Sequence, residues 1–298
     1  MKSQRSAWTA LAVLLCSYHP AVSGDLPSGD AGSGSPARSA SDWTYSFTTY
    51  AWTPWLSGDL TIKGRSFDVD VTAGQVLEAL DWSGIPAWFS YAEARKGRLT
   101  LFNDIAYAKL SGSNDFAKSG PAGAVTLTGN IAAEYEQAIV EVGAAYEVWS
   151  GDHPGWGPSA FDILAGGRYW HQDATVSAVA SLNVDLSGLD VEGTRVFARS
   201  GSKDWVDPFI GARLRQQLAP GQNLTVRGDV GGFDVGSDFT WQVIATYDFQ
   251  LCVSERYAID GYLGYRALSV DYSDGSGPNR YEFDAVQQGP VLGARVRF

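Results

Sequence analysis

From Trp43 to the last residue, apolar and polar positions alternate with a period of two. That is the repeat of a β-strand whose two faces meet different surroundings. The cleanest stretch is 239–251. One face carries Phe239, Trp241, Val243, Ala245, Tyr247, Phe249 and Leu251, and the other carries Thr240, Gln242, Ile244, Thr246, Asp248 and Gln250. The first face is apolar with rings at both ends, the pattern of a strand with lipid on one side and water on the other. Leu224 to Val230 repeats it, with Arg227 and Asp229 on the polar face. Strands of soluble sheets usually hold about 5–6 residues. Most of these segments are about twice that long or more, enough to cross a bilayer, which takes about 9–11.

The alternation predicts strands over 43–53, 85–96, 98–110, 125–149, 160–180, 203–218, 222–235, 239–252, 256–272 and 280–298. The fold class is therefore all-β, a closed antiparallel transmembrane β-barrel of ten strands, with eight to twelve as the bracketing range. An even number closes the sheet with both termini on one side. Tight turns at 96–98, 219–221 and 253–255 then face the periplasm, and the polar stretches 111–124, 181–202 and 273–279 read as outer loops. Within 125–149, Glu134 and Glu136 sit on one parity and Glu141 and Glu147 on the other. A β-bulge at Gln137 to Ile139 would keep all four off the lipid. The stretch 54–84 breaks the rhythm, with a hairpin signal at 60–69 and a helix signal at 72–80. A long loop with its own structure is usually functional. It either covers the barrel mouth or packs on the rim.

The first 42 residues belong to a different regime. Lys2 and Arg5, the apolar run Ala7 to Cys16 and the small residues around Ala21-Val22-Ser23 read as a secretory signal peptide over 1–23. Residues 24–42, rich in Gly, Ser, Pro and Ala, read as a flexible leader, and 43–298 is the barrel. A lipoprotein signal at Cys16 is disfavoured because Leu15 is not small. Removal of the signal leaves Cys252 alone, so no intramolecular disulfide forms and the residue reads as a packing side chain.

Composition narrows the partners. Charged residues make up 18% of the chain, below the usual figure of about 25%. The net charge of -11 argues against nucleic acid. Outer-membrane lipid is the expected partner. Gly293, Val296 and the closing Phe298 match the terminal signal read by the barrel-assembly machinery, although Val291 stands where a polar residue is usual.

Candidate chemistry lies on the polar parity. A Gly-x-Arg motif recurs at Gly166–Arg168, Gly211–Arg213, Gly264–Arg266 and Gly293–Arg295. Strand spacing puts both ends of each motif on the inward face, where a small Gly leaves room for a long Arg. Carboxylates on inward parities are Glu93, Asp104, Glu141, Asp229, Asp248 and Asp260. Arg pairs carboxylates through two parallel hydrogen bonds. Arg213 and Arg227 sit six residues before and six after the 219–221 turn, so a hairpin sets them opposite each other. Such a pair requires carboxylates between its members, and Asp229 and Asp248 are the expected ones. Two functions follow: a narrow pore or solute-binding channel for a small polar or charged solute, or a structural or surface-interaction barrel with a plugged lumen. An outer-membrane hydrolase has the least support. His153 lies in a turn, His171 stands with Asp173 alone, and no nucleophile motif or metal-ligand spacing occurs. No cofactor is expected.

One segment resembles a known family. The run Asp229-Val-Gly-Gly-Phe-Asp-Val-Gly-Ser-Asp-Phe-Thr-Trp-Gln242 is similar to a signature of uncharacterised proteobacterial outer-membrane β-barrel proteins. The Arg-Gly-Asp-Val lead-in at 227–230, Glu-Ala-Arg-Lys-Gly at 93–97 and Gly-Pro-Val-Leu-Gly at 289–293 fit the same resemblance. It implies the barrel fold and the outer membrane, and no activity. Asp234 and Asp238 flank the Gly-rich turn of this segment, where they could hold Ca²⁺ or, the stronger reading, simply supply turn hydrogen bonds.

Overall fold

The computed structural model describes residues 42–119, 125–153, 157–186 and 189–298. The expected signal peptide and nearly all of the expected leader lie outside them. Ten strands form a closed antiparallel ring: β1 (Thr44–Trp52), β4 (Ala87–Lys96), β5 (Leu99–Ser119), β6 (Val125–His153), β7 (Gly157–Leu186), β8 (Leu189–Ala219), β9 (Gln222–Gly232), β10 (Phe239–Val253), β11 (Ala258–Asp274) and β12 (Tyr281–Arg297). The ring closes where β1 pairs with β12, from Ser46↔Arg297 to Trp52↔Val291. Closure leaves that part of the sheet without an edge.

The wall is built inside out. Val142, Ile163, Ile210, Val243, Leu263 and Leu292 are exposed on the outer face. Arg168, Glu141, Gln242, Arg266 and Asp207 are buried in the interior, each at 1% exposure or less. Rings mark both margins of the apolar band, Tyr45, Tyr146 and Trp149 towards the periplasm and Trp88, Tyr169 and Tyr265 at the outer end. A closed antiparallel barrel with an apolar outer wall belongs to the bacterial outer membrane.

The insertion after β1 is a hairpin and a helix. β2 (Trp55–Ile62) continues along β12 where β1 stops, pairing Trp55↔Gln288 to Thr61↔Glu282, and β3 (Arg65–Val71) folds back on it. Lys63 and Gly64 turn the hairpin with φ of 50° and 72°. A short helix, α1 (Ala73–Glu78), follows with a capping box: the Thr72 hydroxyl accepts from the Gln75 backbone N–H, and the Gln75 side chain accepts from the Thr72 N–H. Residues 79–86 then run beside β5. Asp81 N–H donates to Lys109 O, Ser111 N–H to Ala79 O and Lys109 N–H to Pro86 O. The hairpin thus closes towards the mouth and the helix packs on the rim.

Two expectations are corrected. Residues 111–119 and 189–202 are strand, not loop, as are 181–186. β7 and β8 pair without interruption from Ser159↔Gln216 to Leu186↔Leu189. These segments continue the strands past the outer aromatic margin, and their sequence does not carry the ring-bounded apolar face that marks a membrane strand. Thr, Ser and Val residues such as Thr175, Val176, Ser177 and Thr194 still favour extended backbone. At about 3.3 Å per residue, β7 runs roughly 40 Å beyond Asp173. The bulge is also displaced. β6 pairs with β7 in one register through Gln137 and Ile139, and shifts only between Glu147 and Trp149. Glu134 and Glu136 do face outward, but above the apolar band, where water rather than lipid meets them.

Candidate functional site

The interior has two layers. The layer towards the periplasm is ionic and centres on Glu141 of β6, whose side chain is wholly buried. Glu141 accepts from Arg168 Nε at 2.9 Å, Arg227 Nη2 at 2.8 Å, Arg266 Nη2 at 3.3 Å and Gln242 Nε2 at 3.0 Å. Asp229 takes a second hydrogen of Arg168 at 2.7 Å and pairs with Arg227 at 2.9 Å. Asp104 receives Arg266 at 3.0 Å and the Tyr50 hydroxyl at 2.6 Å. Ring faces carry part of the cationic charge: Arg266 lies 4.7 Å over Trp52 and Arg227 lies 4.8 Å over Phe102.

A second branch runs to the periplasmic rim. Arg213 bonds Asp162 at 2.7 Å and also Glu93, while Arg215 bridges Asp162 at 2.8 Å and Glu147 at 2.9 Å. Arg95 closes this branch on Glu147. A third branch joins Arg295 to Asp248 at 3.0 Å, and Arg297 to Asp260 at 2.6 Å.

The strand pattern explains why these groups meet. Arg213 and Arg227 are direct register partners, and Gly211 is opposite Asp229. A Cβ on Gly211 would stand 2.2 Å from the Gly228 carbonyl oxygen and 2.6 Å from the Asp229 Cβ. Only glycine lets the β8 and β9 backbones pack that closely beneath the arginines. Buried charges are tolerated when each is paired and hydrogen-bonded, and the loss of one partner leaves the rest expensive.

The outer layer is aromatic. Trp170 stacks on Trp205 with ring centres 5.5 Å apart, Trp205 on Tyr272 at 3.9 Å, and Tyr272 meets Tyr281 edge-on at 6.2 Å. Ile62 of β2, Leu268, Val270 and Phe283 fill the space around them, all at 2% exposure or less. Ile62 reaches across to β8, where a Cβ at Gly201 would touch its Cγ2 at 3.3 Å. Gln137, Gln172 and Gln287 border this layer. Gln287 and Gln137 bond each other at 2.9 and 3.1 Å, and Tyr281 donates to Gln172 at 2.8 Å.

The expected lumenal residues are all inward, but they divide among the branches. Arg168, Arg227, Arg266, Asp229 and Asp104 share the Glu141 centre, and Arg213 and Glu93 belong to the second branch. Asp248 does not join Arg213 and Arg227: its partner is Arg295, across β10–β12. Asp260 is held at the rim by Arg297. The sequence pattern set Glu141 on the inward parity without marking it as the centre, and Asp162, Arg215, Glu147 and Gln242 were not among the lumenal residues expected to pair. Asp162 had a usable signal, since the β7–β8 hairpin puts it opposite Arg213. The terminal residues lie on the seam, with Gly293 opposite Tyr50, Val296 opposite Phe47, and Phe298 N–H donating to Tyr45 O at 2.9 Å.

His171 has a different partner from the one expected. Its Nδ1 lies 2.7 Å from Asp204 Oδ1, which also accepts from the Tyr169 hydroxyl at 2.5 Å, and Asp173 is not involved. The trio is on the outer face of the wall. On the rim, hydrogen bonds from Ser83 and the ammonium of Lys109 hold the Asp81 carboxyl below the usual carboxylate range. At the Gly-rich turn, φ is positive at Phe233 and Asp234 as well as Gly232. Ser237 ties this turn down: its N–H and hydroxyl donate to Asp207 at 2.6 and 2.9 Å.

No family model matches the chain, and no curated protein matches it. Solved barrels do. Neisserial surface protein A is 12% identical, over 87% of this chain and 96% of that one, with a TM-score of 0.28. The outer-membrane protease OmpT of Escherichia coli is 6% identical, over 86% and 96%, with a TM-score of 0.38. A Pseudomonas aeruginosa FadL homologue is 7% identical, over 86% and 89%, with a TM-score of 0.25.

Proposed function

We propose that this protein is a closed, non-conducting outer-membrane barrel that displays its long β5–β8 sheet outside the cell as a surface for interaction. The observation that carries this reading is the aromatic layer. Trp170, Trp205, Tyr272 and Tyr281, with Ile62 delivered by the β2–β3 hairpin, occupy the lumen directly above the salt-bridged ionic network. An ion would have to cross an apolar constriction and then displace salt bridges. Against that, the four strands beyond the band keep their pairing far past the length that crossing requires. The polar-lumen pore is the weaker of the two functions, and no paired nucleophile and base faces the lumen in support of hydrolysis among the described residues.

Planar-bilayer recording of the refolded protein tests it. The wild type is expected to stay silent. A variant lacking residues 55–71, which removes Ile62 and the hairpin, is expected to give discrete steps. Salt-dependent steps from the wild type would overturn the reading.

A further inference from the structure

We propose that the periplasmic half of the lumen holds a binding site for one small oxyanion of phosphate size. Below the Glu141 centre lies a cavity of about 90 Å³. One water needs about 10–15 Å³ of such space, so the cavity has room for several waters or one tetrahedral oxyanion. Five guanidinium side chains line it, those of Arg213, Arg215, Arg227, Arg266 and Arg295, against two carboxylates, Glu93 and Asp104. Glu141, Asp162, Asp229 and Asp248 neutralise the same arginines but stand outside the cavity lining. The wall that a solute would meet is therefore cationic even though the network behind it is paired.

Two further observations point to a ligand. Arg227 and Arg266 each keep a buried Nε–H without a hydrogen-bond partner. Unsatisfied buried donors on charged groups are costly, and an oxyanion supplies the acceptors they lack. Thr225 and Thr246 also line the cavity and place hydroxyl groups beside the arginines. Access comes from below: the side chains of Arg295, Glu93 and Arg215 are 19%, 24% and 27% exposed, whereas Arg227 and Arg266 at the inner end are 6% and 2%. The site is a blind vestibule, open to the periplasm and stopped by the ionic centre and the aromatic layer. Its guanidinium planes suit the oxygens of phosphate or a carboxylate better than a spherical halide. This site does not depend on whether the outer layer conducts, so bilayer recording and anion binding fail separately.

The test is calorimetric titration of inorganic phosphate into the refolded full-length barrel in detergent at low ionic strength, with chloride at matched ionic strength as the control. Saturable binding of one phosphate per chain is expected, with a rise in thermal midpoint that chloride does not give. Thr246→Glu places a carboxylate in the cavity beside the arginines and is expected to weaken phosphate binding by at least about tenfold, equivalent to about 1.4 kcal/mol. Arg295→Gln, at the solvent end, is the second variant and is expected to weaken binding in the same direction if Thr246→Glu does not fold. No saturable binding to the wild type, or equal binding by the wild type and the folded variant, overturns the proposal.

Discussion

The two halves of the lumen solve the same problem with opposite chemistry. In the periplasmic half, charged groups from β4 to β12 are drawn together around Glu141 and held by mutual pairing. In the outer half, rings from β7, β8, β11 and β12 are stacked and bordered by glutamines. Both fill the interior completely enough to exclude a wide channel. They differ in what a single substitution does. The centre of the ionic half is intolerant of losing Glu141, because the guanidiniums around it are buried away from water. The aromatic half loses packing and leaves a hole.

That contrast can be broken at its strongest point by Glu141→Gln. Three buried guanidiniums lose their shared carboxylate, and a fall of about 3–5 kcal/mol in unfolding free energy is expected from urea titration in lipid. The bilayer record should stay silent, because the aromatic layer is untouched. Trp205→Ala attacks the other half. A comparable cost of about 3–5 kcal/mol is expected for truncating a buried Trp, and here current leakage should appear. Silence from Trp205→Ala combined with leakage from Glu141→Gln would reverse the assignment of the seal.

The outer wall shows no such division, and Val243→Arg tests that. Val243 lies on the lipid face opposite Gly228 and Ala267, and a cost of about 2–4 kcal/mol is expected near the bilayer midplane. A change of a few tenths would mean the residue does not face lipid. Tyr281→Phe is the mildest probe. It removes the bond to Gln172 at 2.8 Å while keeping the ring, and about 0.5–1.5 kcal/mol is expected, with no leakage. A large loss there would show that the glutamine border, not the ring stack, holds the outer half together.

The barrel itself was legible in the sequence because lipid enforces the period-two pattern wherever it touches the wall. Phe239 to Leu251 is the plainest case, and β10 spans Phe239–Val253. The inward placement of the Gly-x-Arg arginines follows from the same parity. Where lipid is absent the pattern lapses, and this is why 111–119 and 189–202 read as loops although they are paired strand. Glu134 and Glu136 misled for a related reason. Their outward parity suggested a bulge only on the assumption that lipid meets the outer face of β6 as far as residue 134. Pairings across the lumen were not legible. Asp248 could meet Arg295 rather than Arg213 only once ring order and curvature were known, and neither is written in the spacing of any one strand.

The seam between the first and last strands carries a kinetic consequence. Thr48 and Arg295, hydrogen-bonded across it, are 247 residues apart in the chain. Contacts so distant are the slowest to form, since loop closure precedes any reward. Until β12 arrives, β1 and β2 both wait with open edges, and β12 must then zip onto three neighbours, β11, β1 and β2. The late step in folding is therefore one strand docking along two others laid end to end. Changes at the Thr53–Pro54 junction between them should slow closure while leaving the finished barrel nearly as stable.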